Sequence, residues 1–518
     1  MKLRNILSAL LVVWLLVGCY EDKGNYNYDW VNEISVTGIN KNYIIKKGHV
    51  LEITPKLHFT RDDAGAADEN NYEYLWIAAS EYNAKRSDTI ARTRDLHAPI
   101  DLPKNSYLVQ YVVRDIKQDL NWRQTFKLDV TLSIAEGWIF GEDVNGKMDI
   151  GIYARMDETT MEYNGKLLST SGIPEAWLEG PRGAFFTERT NLQRGYGIWF
   201  FTDHYTGFLN PDEGHVWTEN QCINNYVIEP QSGNYTLKGM NRASNTNLFA
   251  FTDEGDIKHS KCHSIMYNML YGPDLCTYNG ENFKVAPYVV GYDVPAPMFA
   301  GVFLFYDVAN KRFMQLKTAD YTWVKCPDTY PHGMDLKYMQ MLKMQVPYSN
   351  FILMQDGDKI YQSMMSVMFY MGIMAVTPLQ ELKNAPHLAG AEFFAYHQTK
   401  QQLYYANGQQ LYVYRNGKED PVQIFRKDEQ GVESPVTLTG RITALQTKYF
   451  ANTHMPENAY LIPYLNYIVI ASEGTDGTGE VLILDPPHLE DLNVLEVKHH
   501  ITTEGKVISI DYQTPFTK

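Results

Sequence analysis

Phe351-Ile352-Leu353-Met354-Gln355-Asp356-Gly357-Asp358-Lys359-Ile360-Tyr361 reads as an apolar strand, a tight Asp-Gly turn and a returning strand. Six other stretches share this plan. They begin at Gly137-Trp138-Ile139-Phe140, Gly197-Ile198-Trp199-Phe200-Phe201, Leu248-Phe249-Ala250-Phe251, Gly301-Val302-Phe303-Leu304-Phe305, Leu403-Tyr404-Tyr405-Ala406 and Tyr467-Ile468-Val469-Ile470-Ala471. The steps between them are about fifty to sixty-six residues. One hairpin cannot bury both of its faces, so a repeat of one sheet per period predicts a β-propeller, whose sheets stack radially and hide their edges. The count is about seven blades, with six or eight as neighbouring counts and two tandem β-sandwiches as the alternative architecture. Gly440-Arg441-Ile442-Thr443-Ala444-Leu445 and Gly505-Lys506-Val507-Ile508-Ser509-Ile510 echo one another. The second is placed to return the chain and close the ring.

Upstream, residues 31–135 have a different rhythm. Tyr72-Glu73-Tyr74-Leu75-Trp76 places a bulky aromatic at every second position, on one face, and Tyr107 to Asp115 followed by Gln124 to Val130 reads as a long hairpin. About seven such runs make an immunoglobulin-like sandwich. The Tyr-x-Trp strand at Tyr74 and Trp76, with the Tyr-x-Val-x-x-x-Val-x-Asp strand ending at Asp115, resembles the PKD (polycystic kidney disease) domain. The glycine usual after that aspartate is replaced by Ile116-Lys117-Gln118-Asp119, so the resemblance is to a diverged member. The fold class expected is therefore all-β, a PKD-like sandwich over 31–135 followed by a propeller over 136–518.

The first residues predict where the protein works. Lys2 and Arg4 precede an apolar run from Ile6 to Val17, the length of a secretory signal core and short for a membrane span. Leu16-Val17-Gly18-Cys19 resembles the lipobox of bacterial lipoproteins, which makes 1–18 a removed signal peptide and Cys19 the lipidated residue. Residues 19–30 are then a tether. Glu21 and Asp22, close behind that cysteine, resemble the surface-export signal of Bacteroidota lipoproteins, and imply an outer-membrane protein that faces the exterior.

With 46 basic and 61 acidic residues the chain carries −15, and loss of Lys2 and Arg4 makes it more acidic still. Such a surface repels polyphosphates and argues against nucleic acid as partner. Catalytic signatures are missing: no Gly-x-Ser-x-Gly elbow, His-Glu-x-x-His, phosphate loop or dinucleotide fingerprint occurs. No cofactor is expected. Asp203, Asp253, Asp307 and Asp356 fall at hairpin turns, where short carboxylates satisfy backbone donors. Four cysteines follow Cys19, with Cys262 and Cys276 closing the shortest disulfide loop. His259, Cys262, His263 and Cys276 lack the spacing of a zinc site, so no metal is expected. Met334 to Met374 holds ten of the twenty methionines. Blade packing, a plastic apolar surface and thioether copper binding are the three readings, in that order.

Aromatic residues, 13% of the chain, offer the ligand surface. Trp199, Tyr205, Trp217, Tyr271 and Tyr278 fall in or near long connections, where flat amphipathic rings can stack on sugars or grip peptides. The segments from Met156 to Thr190 and from Asn210 to Asn247 exceed ordinary loop length and are the expected recognition surface.

Lipobox, the start Cys-Tyr-Glu-Asp-Lys-Gly-Asn-Tyr, the diverged PKD module and the β-repeats together resemble the PKD-like family of Bacteroidota lipoproteins. That resemblance implies a non-catalytic accessory protein. It would capture oligopeptide or glycan, or scaffold a TonB-dependent SusC/SusD-type nutrient importer with its lid lipoprotein. A propeller glycoside hydrolase or polysaccharide lyase, and an adhesin, are the alternatives.

Overall fold

A computed structural model describes the chain apart from residues 1–30, 61–68, 81–82, 103–104, 132–135, 157–159, 188–196, 212–214, 228–235, 243–246, 262–274, 294–300, 319, 344–347, 368–373, 449–462, 487–492 and 515–518. The chain divides into two compact units, residues 1–131 and 132–518. Among the described residues the regular elements are β-strands and short 3-10 turns, with no α-helix.

The first unit is built on a five-stranded sheet in the order Asn42–Lys46, Leu120–Thr131, Asn105–Asp115, Tyr72–Ser80, Asn83–Ala91. Two small ladders complete it, Ile34–Thr37 with Lys56–Phe59 and Val50–Ile53 with Leu96–Pro99. Alternation fixes the register: Tyr107, Val109, Tyr111 and Val113 turn inward from one strand and meet Tyr74, Trp76 and Ala78 of the next. Trp76 and Tyr111 pack with ring centroids 4.3 Å apart at the centre. At the turn where glycine was missing, the Asp115 carboxylate accepts the backbone N–H groups of Lys117 (2.9 Å) and Gln118 (3.0 Å). Asp119 then takes φ +53°, a left-handed position that aspartate tolerates.

The second unit contains seven sheets of three or more strands among the described residues. The first is Lys506–Gln513, Gly137–Val144, Lys147–Arg155, Met161–Asn164; the second is Pro181–Thr187, Gly197–Thr202, Thr206–Leu209. The third is Gly239–Arg242, Asn247–Phe251, Ile257–Lys261; the fourth is Val290–Asp293, Gly301–Asp307, Arg312–Lys317, Thr322–Lys325. The fifth runs from Asp335–Lys343 through Tyr348–Asp356 and Lys359–Val367 to Met374–Val376, with Gln380–Glu381 on the third of these strands. The sixth is Phe393–His397, Gln402–Asn407, Gln410–Arg415, Lys418–Pro421. The seventh is Ile442–Thr447, Ile468–Glu473, Gly479–Asp485, Val494–Thr503, extended by Gln423–Lys427 and Glu433–Val436.

Each sheet packs on the next through its own apolar core. In the second sheet, Ile198 and Phe200 face the first sheet, while Trp199 and Phe201 face the third. Phe249 and Phe251 meet Phe303 and Phe305 of the fourth; Leu304 and Tyr306 meet Ile352 and Met354 of the fifth. The series continues with Phe351 and Leu353 against Phe394 and Tyr405, and Tyr404 and Ala406 against Ile468 and Ile470. Val469 and Ala471 then pack on Trp138 and Phe140 of the first sheet, so the succession of cores returns to its start. Strands buried on both faces are apolar at consecutive positions, which is why these runs stood out in the sequence. The C-terminal strand Lys506–Gln513 pairs antiparallel with Gly137–Val144, Gly137 opposite Gln513. The first and last strands of the second unit thus share one sheet, a propeller-like closure.

Candidate functional site

The first-named strands of the first, second, third, fifth and seventh sheets, with residues 287–289 before the fourth, enclose a central cavity of about 320 Å³. Its wall carries Arg242, Gln340, Lys448 and Asp511. Asp511 is buried; one carboxylate oxygen accepts the Phe186 N–H (2.8 Å), and the other accepts the Tyr512 N–H (2.8 Å) and pairs with Lys448. Ser509 accepts the Ala184 N–H at 2.8 Å. The Gln340 amide donates to the Tyr396 carbonyl (3.2 Å) and the Thr447 hydroxyl (3.1 Å), while its oxygen accepts the Tyr396 N–H and the Tyr338 hydroxyl, both at 2.8 Å. Burial pushes the Tyr338 phenol far above its ordinary value, so it acts as a neutral donor. These groups stitch neighbouring sheets together. An Asp511 carboxylate held by a lysine and two backbone donors has little freedom to serve as a general acid or base.

A larger hollow lies at the outer side of the sixth and seventh sheets. The hairpin Gln423–Lys427 and Glu433–Val436 adds to the seventh sheet by parallel pairing, Gln423 opposite Val494 and Phe425 opposite Glu496. Asp428 closes its turn by accepting the N–H groups of Gln430 (3.0 Å) and Val432 (2.8 Å). Arg426 donates to Nδ1 of His500 (2.6 Å), whose Nε2 reaches Glu480 at 2.9 Å, fastening the hairpin to the sheet. Between this hairpin and the turn at Asn407–Gln410 runs a groove of about 760 Å³. Val436 is partly exposed over the buried side chains of Leu411, Val422, Ile424 and Leu438, and Asn407, Gln409 and Gln410 supply amides. Gln409 donates to the Leu438 carbonyl, and Gln410 to those of Leu411 (2.8 Å) and Val422 (3.2 Å). Pro435 removes a donor from the outermost strand and blunts its edge.

The expected ligand residues are dispersed. Trp199 is fully buried between the second and third sheets, against Phe208 and Tyr226, and Tyr205 is fully buried between the first and second. Neither ring is exposed as a ligand residue would be: Trp199 lies on the strand Gly197–Thr202, which is covered on both faces, and Tyr205 lies in the turn after it with its ring packed inward. Tyr205 stacks on Trp177 at 4.8 Å and accepts the Trp217 indole N–H at 3.1 Å. Trp217 is half-buried beside Trp177, a residue the sequence reading passed over. Tyr278 is half-buried under the Arg312 guanidinium, 5.6 Å from its ring centre. Tyr271 lies outside the described residues, as do Cys19, Glu21, Asp22 and Cys262, and with Cys262 the pairing to Cys276; Cys276 itself is buried. Of the long connections, 156–190 supplies the strands Met161–Asn164 and Pro181–Thr187, and 210–247 supplies Gly239–Arg242.

Both nitrogens of His259 are engaged, with Asn247 (2.6 Å) and Tyr321 (3.1 Å). Among the turn aspartates, Asp203 and Asp253 share Arg182 at 2.8 and 2.7 Å, and buried Asp307 binds Arg312 at 2.8 Å. Met339, Met354 and Met365 pack between the fourth and fifth sheets, which places these three in the core.

Fold and site together define an all-β protein with a propeller-like region. The family model described as the PKD-like family matches residues 19–170. No curated protein matches the chain. Among solved structures, a quinoprotein alcohol dehydrogenase-like protein of Bacteroides thetaiotaomicron is 11% identical, with 92% of this chain and 97% of that one covered and a TM-score of 0.37. An auxiliary nutrient binding protein of the same organism is 8% identical over 85% and 93%, TM-score 0.33. The Dos1 propeller is 10% identical over 73% and 86%, TM-score 0.35.

Proposed function

We propose that this protein is a non-catalytic, surface-exposed outer-membrane lipoprotein. In this reading Cys19 carries the lipid and Glu21 and Asp22 direct export. A sandwich precedes a seven-bladed propeller that binds oligopeptide or glycan, or scaffolds a TonB-dependent SusC/SusD-type importer with its lid lipoprotein. The observation that carries it is the added hairpin over residues 423–436. Ring closure uses the strand Lys506–Gln513, so the hairpin is surplus to closure, and it builds one wall of an amide-and-apolar groove large enough for an extended ligand. The commitment of Asp511 to Lys448 favours binding over hydrolysis or elimination at the central cavity. Among the described residues, Trp217 and Tyr278 are the aromatic residues of the expected set that a ligand could reach.

The test is affinity recovery of the full-length, lipidated protein from solubilised outer membranes, beside Val436→Arg and Cys19→Ala. The transporter and lid, or a retained peptide or glycan, are expected with the wild type and lost with Val436→Arg, and Cys19→Ala is expected in the soluble fraction. Recovery of the wild type alone, with no affinity for peptide or glycan libraries, overturns the reading.

A further inference from the structure

The solvent face of the five-stranded sheet in the first unit bears a concavity of about 850 Å³. Its floor includes Leu75 and Val112, which stand opposite each other on neighbouring strands. One wall is the bend Arg92–Asp95. The indole of Trp76, fully buried in the core, donates to the Thr93 carbonyl (2.9 Å), and the Thr93 hydroxyl donates to the Asp95 carbonyl (2.6 Å). This bend is therefore fixed before any ligand arrives. Facing it, the Arg114 guanidinium is held by Glu73 (2.9 Å) and Asp119 (2.8 and 3.0 Å). Arg92 and Arg94 are exposed, and their side chains make no ion pair among the described residues. A chain with net charge −15 thus keeps two uncommitted guanidinium groups and one braced one around a single hollow.

We propose that this concavity binds an acidic oligosaccharide, a short run of uronate-type sugars. The sugar carboxylates would pair with Arg92 and Arg94, and the sugar hydroxyls would donate to Glu73 and Asp95. A guanidinium fork matches a carboxylate in two parallel hydrogen bonds, which selects a planar anion over a point charge. The carboxylates on the two sides of the hollow select the class: every sugar ring brings several hydroxyl donors that Glu73 and Asp95 can accept, whereas an acidic peptide offers them only its backbone N–H groups. Leu75 and Val112 offer an aliphatic floor to the C–H face of a pyranose ring. The volume falls within the range of about 300–1,000 Å³ typical of small-ligand sites. The site lies wholly within the first unit, so it does not depend on the propeller groove.

Titration calorimetry on the full chain with trigalacturonate, neutral maltotriose and triglutamate tests it. Trigalacturonate is expected to bind at least about tenfold more tightly than either of the others, and to weaken about fivefold when salt rises from about 50 to about 500 mM. Arg92→Ala with Arg94→Ala should cost at least about tenfold and the paired Lys replacements about threefold, since lysine keeps the charge and loses the fork. Val436→Arg should leave this binding unchanged. Absence of trigalacturonate binding up to about 10 mM, binding untouched by the paired Arg→Ala change, or equal affinity for triglutamate overturns the proposal.

Discussion

Glu142 shows how much one residue can carry. It sits fully buried at the bulge where Gly137–Val144 pairs with the C-terminal strand, and its carboxylate accepts the Tyr163 hydroxyl (2.7 Å) and the Gly505 N–H (3.1 Å). Burial raises its pKa to about 7 against the lowering effect of those hydrogen bonds, and neighbouring Asp149 and Glu504 push it the same way as burial. The folded state therefore holds this proton more tightly than the unfolded chain, whose glutamate titrates near 4.5. Stability contributed by the protonated form is complete below about pH 4.5 and is lost as pH rises through about 7, a change on the order of 3 kcal/mol. Glu142→Gln, which imitates the protonated carboxyl, should flatten this part of the pH dependence and raise the denaturant midpoint at pH 8 relative to wild type. Unfolding curves of both proteins at pH 5 and pH 8 measure it; an unchanged difference between the two pH values in the variant would refute the assignment. Trp199 belongs at this scale too. Truncation to alanine leaves a cavity between two sheets, and a loss of about 3–5 kcal/mol in chemical denaturation is expected, with the fold otherwise retained.

At the scale of the element, the strands that start with Gly137 and Gly197 are two copies of one solution. Both glycines open the second strand of their sheet with φ near +155°, and a Cβ on either would stand 2.2 Å from a carbonyl oxygen of the adjacent strand, Tyr153 or Leu209. The obstruction is backbone, so no side-chain rearrangement relieves it. Gly197→Ala should destabilise by about 3 kcal/mol, read as a lower denaturant midpoint, whereas alanine at Gly239, which meets open space and is not among the positive-φ glycines, should cost much less. The same elements explain what the sequence reading could reach. A strand packed on both faces reads as an uninterrupted apolar run, so one strand of each of the seven sheets was visible. The outer strands Met161–Asn164 and Lys418–Pro421 carry polar, partly exposed residues and left no such trace. Trp199 is a related case: in the apolar run it shares with Phe200, alternate rings enter the cores on opposite faces of the sheet, and the sequence does not say that both faces are covered. The groove was illegible because its hairpin joins the seventh sheet through a parallel contact with Val494–Glu496, about seventy residues on, which no local pattern encodes. Arg92 and Arg94 were likewise silent, since two arginines in a polar bend acquire meaning only once the bend is folded over Leu75 and Val112.

For the second unit as a whole, closure decides whether seven sheets make one folding unit or a row of weakly coupled ones. The strand Lys506–Gln513 contributes Val507, Ile510 and Tyr512 to the core shared with the seventh sheet, and Ser509 and Asp511 to hydrogen bonds with the second. Each of those three apolar side chains is worth about 1.5–3 kcal/mol of burial, so together they are comparable with the ~5–15 kcal/mol that holds a typical domain folded. Removing them also bares the edge of Gly137–Val144, a ready template for pairing with another chain. A chain ending at residue 503 should therefore lose its cooperative thermal transition and elute as aggregate, whereas a peptide spanning 504–518 supplied in trans should restore a monomeric species. Scanning calorimetry and size-exclusion chromatography read both outcomes. The second unit would be a row of independent sheets, contrary to this account, if the truncated chain melted cooperatively at the wild-type temperature. In a ring locked in this way the groove and the central wall keep their geometry, because no sheet can move without breaking contacts on two sides.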